Sequence, residues 1–376
     1  MEACQEQLTS IGWVLLLLPA VPYCWFLLRC INSWRLPIQE KPGCPLPHTT
    51  IVIPVRDESM NILGLLQSLD RQSADPEKVD IIVVDDHSQD DTVEVVKAFI
   101  ARSGRFTVRL IQLRNEFSKK SAIARAVQES ASQWVVTLDA DVSLPGADWL
   151  VDFMLHADND AWMLCGPVVL ASEKKNRIGR IATLESIGLL SIAGAGIRSR
   201  SPLFCNGASL AFRRDKFIES GGYDTNRLSG DDTDLLHRFP SGNVRFVSDP
   251  ACLVKAAAPS TLGGFISQRQ RWAAKIPASL AKQLLITGLS AWWMHFVVLL
   301  LILAGFMGTV TLWCPLAIIA IKAVIEYRVL KASSSVHRMK VPGRLILLLQ
   351  PVYCLSIVII GILSVAIPYR WKGRTS

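Results

Sequence analysis

Three acidic stretches and one basic stretch hold the residues of this chain that could do chemistry. "TLDADVS" places Asp139 and Asp141 two apart, just beyond an apolar run. Two hard oxygen ligands at that spacing can share a Mg²⁺ or Mn²⁺ with a diphosphate, since Mg²⁺ is held by one or two carboxylates plus substrate phosphates. A solvated turn is the plainer reading of the same pattern. "VVDDHSQDD" sets Asp85 at the end of another apolar run, where a carboxylate suits hydrogen bonding to a nucleobase or ribose. Asp90 and Asp91 suit instead the start of the next helix, whose dipole favours acids. "LSGDDTDLLHRF" carries Asp231, Asp232 and Asp234 after Gly230. A carboxylate at a helix start can serve as general base for a hydroxyl, or it can simply be part of a cap and an acidic first turn. "ISQRQRWAAK" puts Gln268, Arg269, Arg271, Trp272 and Lys275 just ahead of the longest apolar run. Arginine can neutralise a diphosphate bidentately, yet Arg, Lys and Trp are also ordinary anchors at a membrane surface. His87 and His237 have no metal-type partner nearby in sequence, and Ser209 lacks a G-x-S-x-G context, so neither histidine chemistry nor a serine nucleophile is expected.

These residues need a frame. "TTIVIPV" (49–55), "VDIIVVDD" (79–86), "FTVRLIQL" (106–113) and "QWVVTLDAD" (133–141) read as strands. Helical spacing separates them at 61–72, with Ile62, Leu65, Leu66 and Leu69 on one face, at 90–103, and at 118–131 after a Ser118 cap. Strands alternating with helices predict an α/β fold with a mostly parallel sheet, and continuously apolar strands predict cover on both faces. In such sheets ligands bind outside the carboxyl ends of the strands. Arg56, Asp57, Glu58, Asp85, Asp86, Asp139 and Asp141 all fall there, a crowd of carboxylates that a cation or bound donors would relieve.

The 376 residues are half apolar, with a formal charge of +8. Residues 11–31, 284–325 and 345–367 are long and apolar enough for about four crossings, the second stretch counting twice and interrupted only by Lys322. Glu2 and Glu6 precede the first stretch and Arg29, Arg35 and Lys41 follow it, which places the large domain on the cytoplasmic side. The basic C-terminus conflicts with four plain spans, so either the segment holding Pro351 re-enters or the count differs. Basic flanks of membrane segments account for most of the charge excess, and no nucleic-acid motif is present. Nine scattered cysteines without a C-x-x-C pair argue against zinc or a disulfide framework. The expected division is an N-terminal transmembrane segment (1–36), a Pro-rich linker (37–48), a catalytic domain of soluble character (49–265), an interfacial helix region (266–283) and a C-terminal transmembrane region (284–376).

Taken in order, the strand-end acids, "DD", "DAD", "GDDTD" and "QRQRW" resemble the motifs of family 2 inverting glycosyltransferases of the membrane-anchored kind. The resemblance covers about 49–275 and implies a GT-A type nucleotide-sugar-binding domain. It implies that Arg56 and Glu58 border the base, with Asp57 replacing the usual Asn, and that Asp85 binds the nucleoside. Lys119 or Lys120 would lie near the donor, and Asp139 and Asp141 would hold metal and diphosphate. Asn206 and Gly207 would line the donor sugar. Asp232 would be the base, beside Asp231 in place of a Glu on the donor side, and Arg238 would match a common Arg. Gln268, Arg271 and Trp272 match Q-x-x-R-W, leaving Arg269 and Lys275 as anchors. The implied activity is transfer of a sugar, UDP-linked in the family's commonest case, to a membrane lipid with inversion and with Mg²⁺ or Mn²⁺. The alternatives are a processive polysaccharide synthase and an inactive membrane scaffold. The layout implies a multi-pass protein of the bacterial cytoplasmic membrane.

Overall fold

The computed structural model describes residues 18–37, 45–172, 176–223, 231–274, 282–367, 370–371 and 374–375. Gly230 and Lys275, most of the expected linker and the first part of the expected N-terminal span lie outside them. From its start the described chain runs into a helix, α1 (Val21–Ser33).

The sheet domain follows. β1 (Thr49–Val55) leads through α2 (Ile62–Asp70) to β2 (Val79–Asp85), then through α3 (Thr92–Ile100) to β3 (Thr107–Gln112) and through α4 (Lys119–Glu129) to β4 (Trp134–Leu138). β1 pairs in parallel with both β2 and β4, and β2 with β3. Alternation along the pleat splits the apolar strand residues between two cores. Ile51, Ile53, Ile81 and Val83 face Leu65, Leu66, Val96 and Phe99 of α2 and α3. Val52, Ile82 and Val84 face Ala122, Ile123 and Ala126 of α4. The expected two-sided cover is therefore present, and only β3, at the sheet edge, alternates between exposed and half-buried positions.

Beyond β4 the chain forms β5 (Val142–Ser143), α5 (Trp149–Met154), β6 (Met163–Cys165), β7 (Val168–Ala171) and the long helix α6 (Arg177–Arg198). Then come β8 (Ser209–Arg213), α7 (Arg214–Glu219), α8 (Asp231–Arg238), β9 (Val244–Phe246) and β10 (Val254–Ala257). β8 joins the main sheet antiparallel to β4 and β6, giving the order β3-β2-β1-β4-β8-β6-β9. β5, β10 and β7 form a second small sheet. The fold is α/β, mostly parallel around the site.

Among the described residues four more helices follow: α9 (Leu262–Ala273), α10 (Lys282–Phe306), α11 (Trp313–Val336) and α12 (Gly343–Ala366). Among the described residues three helices have the length and composition to cross a membrane, namely α6, α10 and α12. Two helices bear on the expected spans. α6 lies inside the stretch read as soluble; arginines at both ends and Glu185 within it mask an apolar helix that packs on β7, α1 and α11. Of the two helices in the expected pair of crossings at 284–325, α10 has that length and composition, whereas α11 carries Lys322, Glu326 and Arg328. α12 runs unbroken through Pro351.

The charges of α11 are not left in an apolar medium. Lys322 Nζ is 2.7 Å from Glu326 Oε1 and donates to Gln350 Oε1 on α12 at 2.7 Å. Gln350 Nε2 donates to Glu326 Oε2 at 2.7 Å, and the Tyr23 hydroxyl of α1 donates to Glu326 Oε1 at 2.6 Å. Three helices thus share one buried network, in which removing a single partner strands a charge while removing both does not. Lys322→Met is expected to destabilise the protein by ~3–5 kcal/mol, and adding Glu326→Leu to recover more than half of that loss. Unfolding in detergent measures both, and a double variant no better than the single one would contradict the network.

Candidate active site

The carboxyl ends of β1, β2 and β4 carry the expected acids, and their turns show how each is held. Asp57 adopts φ 51°, a left-handed conformation that Asp and Asn tolerate better than most residues. This accounts for an Asp standing where the resemblance implies Asn. Its Oδ1 accepts from Gln89 N at 2.8 Å and its own N–H donates to Ser88 Oγ, which locks the β1 turn to the β2 turn. Asp57 is therefore a turn former. Arg56 reaches Asp86 O at 3.2 Å, and Glu58 accepts from Asn61 at 2.7 Å. Asp85 is buried, and Ser88 N donates to its Oδ1 at 3.2 Å. Asp86, also buried, accepts from Ser118 N at 3.2 Å and thereby seats the start of α4. Ser118 caps that helix as expected, accepting from Ser121 N. Asp91 occupies the N-cap position of α3 without a side-chain bond, while Asp90 accepts from Thr92 N and Ser59 N.

With α4 seated, Lys119 Nζ lies 2.5 Å from Asp139 Oδ1. Of the two lysines only Lys119 meets the metal-type motif. Lys120 is buried and sits 3.7 Å from Asp234 Oδ2, tying α4 to α8. Asp232, on the first turn of α8, accepts from Gly207 N at 3.0 Å through Oδ2 and from Thr233 N at 2.8 Å through Oδ1. A Cβ at Gly207 would lie 3.3 Å from Asp232 Cβ, 3.5 Å from its Oδ2 and 3.6 Å from Lys119 Nζ. Lys119, Asp139, Gly207 and Asp232 thus converge on one spot, drawn from α4, β4, the entry to β8 and α8. The neighbouring Asn206 is exposed, and its Oδ1 accepts from Ala208 N. Asp231 is the first residue of α8. Arg238 clamps the carbonyls of Ser220 and Gly222, a structural task.

Asp141 completes the cluster. Burial, then the charges of Asp139 and Glu58, push its carboxyl up to about 6, and Lys119 only partly offsets them. Two carboxylates crowded in this way are a donor set short of positive charge. Among the described residues no three His, Cys, Asp or Glu side chains converge on a metal site. Two carboxylates nonetheless fit a Mg²⁺ or Mn²⁺ that takes its other ligands from water and a diphosphate.

Gln268, Arg271 and Trp272 share one face of α9, at i, i+3 and i+4. α9 packs on α6 and α12, and Gln270 Nε2 donates to Ile367 O at 2.8 Å. The expectation that Arg269 is a surface anchor is overturned. Arg269 is only 4% exposed, and its Nε lies 2.8 Å from Glu185 Oε2 of α6. Its guanidinium is stacked between the rings of Phe265 and Trp272, 4.2 and 4.8 Å from their centroids, and its Nη1 bonds Gln268 Oε1. The partner stands 84 positions away and on a helix that reads as apolar, so no local pattern could have announced it.

Comparison with known proteins agrees with this architecture. Residues 50–221 match the family model described as Glycosyl transferase family 2. The chain is 24% identical over 251 residues to a poly-beta-1,6-N-acetyl-D-glucosamine synthase of Staphylococcus aureus, and 26% identical over 248 residues to the probable glycosyltransferase YdaM of Bacillus subtilis. These matches cover 64% and 65% of this chain and 58% of each relative's length, so the chain spans little more than half of the curated relatives it matches. In structure it resembles the mannosyltransferase PcManGT from Pyrobaculum calidifontis, solved with GDP-Man and Mn²⁺, with a TM-score of 0.60 and 18% identity over 94% of this chain and 97% of that one. Residues 50–221 thus resemble glycosyltransferase family 2, and the fold is of the GT-A type.

Gly207→Ala is expected to push Asp232 aside by a few tenths of an ångström. Misplacing a catalytic group by ~1 Å can cost ~100-fold, so a base at Asp232 predicts that sugar transfer falls about tenfold while the melting temperature stays within a few degrees. Transfer at the wild-type rate would show that the Gly207–Asp232 contact does not matter.

Proposed function

We propose that this protein transfers a sugar from a nucleotide-sugar donor to a hydroxyl of a membrane lipid, or a lipid-linked acceptor, at the cytoplasmic face, with inversion at the anomeric carbon. The observation that carries this reading is the convergence of Asp232 with Lys119, Asp139 and Gly207 at the carboxyl end of the sheet. Arg56, Glu58 and Asp85 border the nucleoside in this reading. Asp139 and Asp141 would hold a divalent ion, Mg²⁺ or Mn²⁺, which when bound supplies charge stabilisation to the leaving diphosphate. Lys119 orients Asp139 and adds positive charge next to that group, with Asp231 on the donor side. Asp232 removes the proton from the acceptor hydroxyl as the oxygen attacks the anomeric carbon, and a single displacement on the face opposite the leaving group inverts configuration. Arg271 neutralises the departing diphosphate, while Gln268 and Trp272 close the acceptor side. The separation into membrane segments and a catalytic domain at 49–265 belongs to the same proposal. It is supported by the apolar helices and by the basic residues after α1.

A polymer product has one specific observation in its favour, the name of the Staphylococcus aureus relative. The two products separate in one experiment. Membranes containing wild type or Asp232→Asn receive radiolabelled UDP- and GDP-sugars with Mn²⁺ or Mg²⁺. Label in the organic phase is expected from wild type and at least ~100-fold less from Asp232→Asn. Label in high-molecular-weight aqueous material would favour a polymer synthase. Equal label from both membranes would remove Asp232 from the mechanism.

A further inference from the structure

Below α9 lies a cavity of about 440 Å³, walled by α1, α6, α9, α11 and α12. It falls within the ~300–1,000 Å³ of small-molecule sites and is about three times the size of an apolar cavity, ~150 Å³, that binds benzene. Its walls are aliphatic, with Ile181 and Leu189 from α6, Ile266 from α9, Leu330 from α11, and Leu349 and Ile359 from α12. The carboxylates that reach it, Glu185 and Glu326, are already paired with Arg269 and Lys322. A polar solute would find little to bind there. Two of the walls, α6 and α12, are helices of membrane-crossing length and composition, which suits a hydrocarbon occupant.

The cavity also connects to the chemistry. Leu262, Phe265 and Ile266 line it from the first half of α9, and the second half of the same helix carries Gln268, Arg271 and Trp272. Arg269 joins the two halves by stacking on Phe265 and Trp272. Its Nη2 is buried with no hydrogen-bond partner among the described residues, a donor left over where apolar wall gives way to polar helix.

We propose that this cavity is the subsite for the hydrocarbon chain of the lipid acceptor, which enters between α6 and α12 and so holds the acceptor hydroxyl against α9. This rests on the lipid-acceptor reading above. Gly188 of α6 offers a way to fill the cavity. It lines the wall, and a Cβ there meets only Leu330 Cδ2 at 3.7 Å, an ordinary contact. The test uses purified full-length wild type and Gly188→Leu in vesicles made from the total lipid extract of host membranes. Lipid retained by the protein is followed by native mass spectrometry before and after addition of the nucleotide sugar. Wild type is expected to retain one lipid that gains the mass of the sugar. Gly188→Leu is expected to lose it and to need about tenfold more extract for half-maximal transfer, the equivalent of roughly two methylenes left unburied. A retained bulk phospholipid that never gains sugar would overturn the proposal. So would lipid product formed by wild type with no lipid retained, or a folded Gly188→Leu matching wild type in both measurements. Failure of the lipid-acceptor reading itself looks different, since wild type would then place no label in any lipid.

Discussion

Like charges crowded at one edge of a sheet are the constraint on which the rest of this structure depends. Burial, and then the charges of Asp139 and Glu58, raise the Asp141 carboxyl to about 6. Such an arrangement is stable only where surrounding groups fix each carboxylate and supply some positive charge. The fold meets both conditions. Asp57 locks two turns together, Asp86 seats α4 through Ser118, and α4 then delivers Lys119 to Asp139. Lys120, one residue on, binds Asp234 and brings α8 alongside. The helix that carries Asp232 is thus positioned by the same element that begins to neutralise the cluster. What remains uncompensated is the charge that a cation and the donor groups of a nucleotide sugar would bring.

A second constraint acts from the apolar helices. α9 lies against α6 and α12, and its one face carries the Gln268, Arg271 and Trp272 set. The buried Arg269–Glu185 pair fixes α9 to α6, and breaking such a pair from one side commonly costs ~3–5 kcal/mol. The pair's neighbours are Phe265 and Trp272, so a shift of the apolar helices would reach the Gln268, Arg271 and Trp272 face of α9 directly. Lys322 and Glu326 do comparable work among α1, α11 and α12, where polar residues set the register of otherwise greasy helices.

Much of the sheet domain was legible because its signals are local. Continuous apolar runs marked β1 to β4 and period-3.6 patterns marked their helices, to within a few residues, and turn chemistry located the acids at the strand ends. β1 was read at its observed bounds. The antiparallel entry of β8 was not legible, since no local pattern states which neighbour a strand will choose. α6 was missed because its charged residues depress an otherwise apolar helix, and those charges only make sense with partners far along the chain. Arg269 is the sharpest case: beside Arg271 and Lys275 it reads as one more surface cation, and only Glu185, brought in by α6, shows it to be interior. The cavity was invisible for the same reason, as its walls come from five separate helices.

The measurement that tests the central claim most directly is calorimetric titration of UDP and of GDP into the purified protein, with and without Mn²⁺. On this account one nucleoside diphosphate binds, binding strengthens strongly with Mn²⁺, and Asp139→Asn or Asp141→Asn removes that Mn²⁺ dependence. Binding equally tight without the metal, or unchanged by either substitution, would contradict the assignment of the carboxylate edge as the site that receives donor and cation.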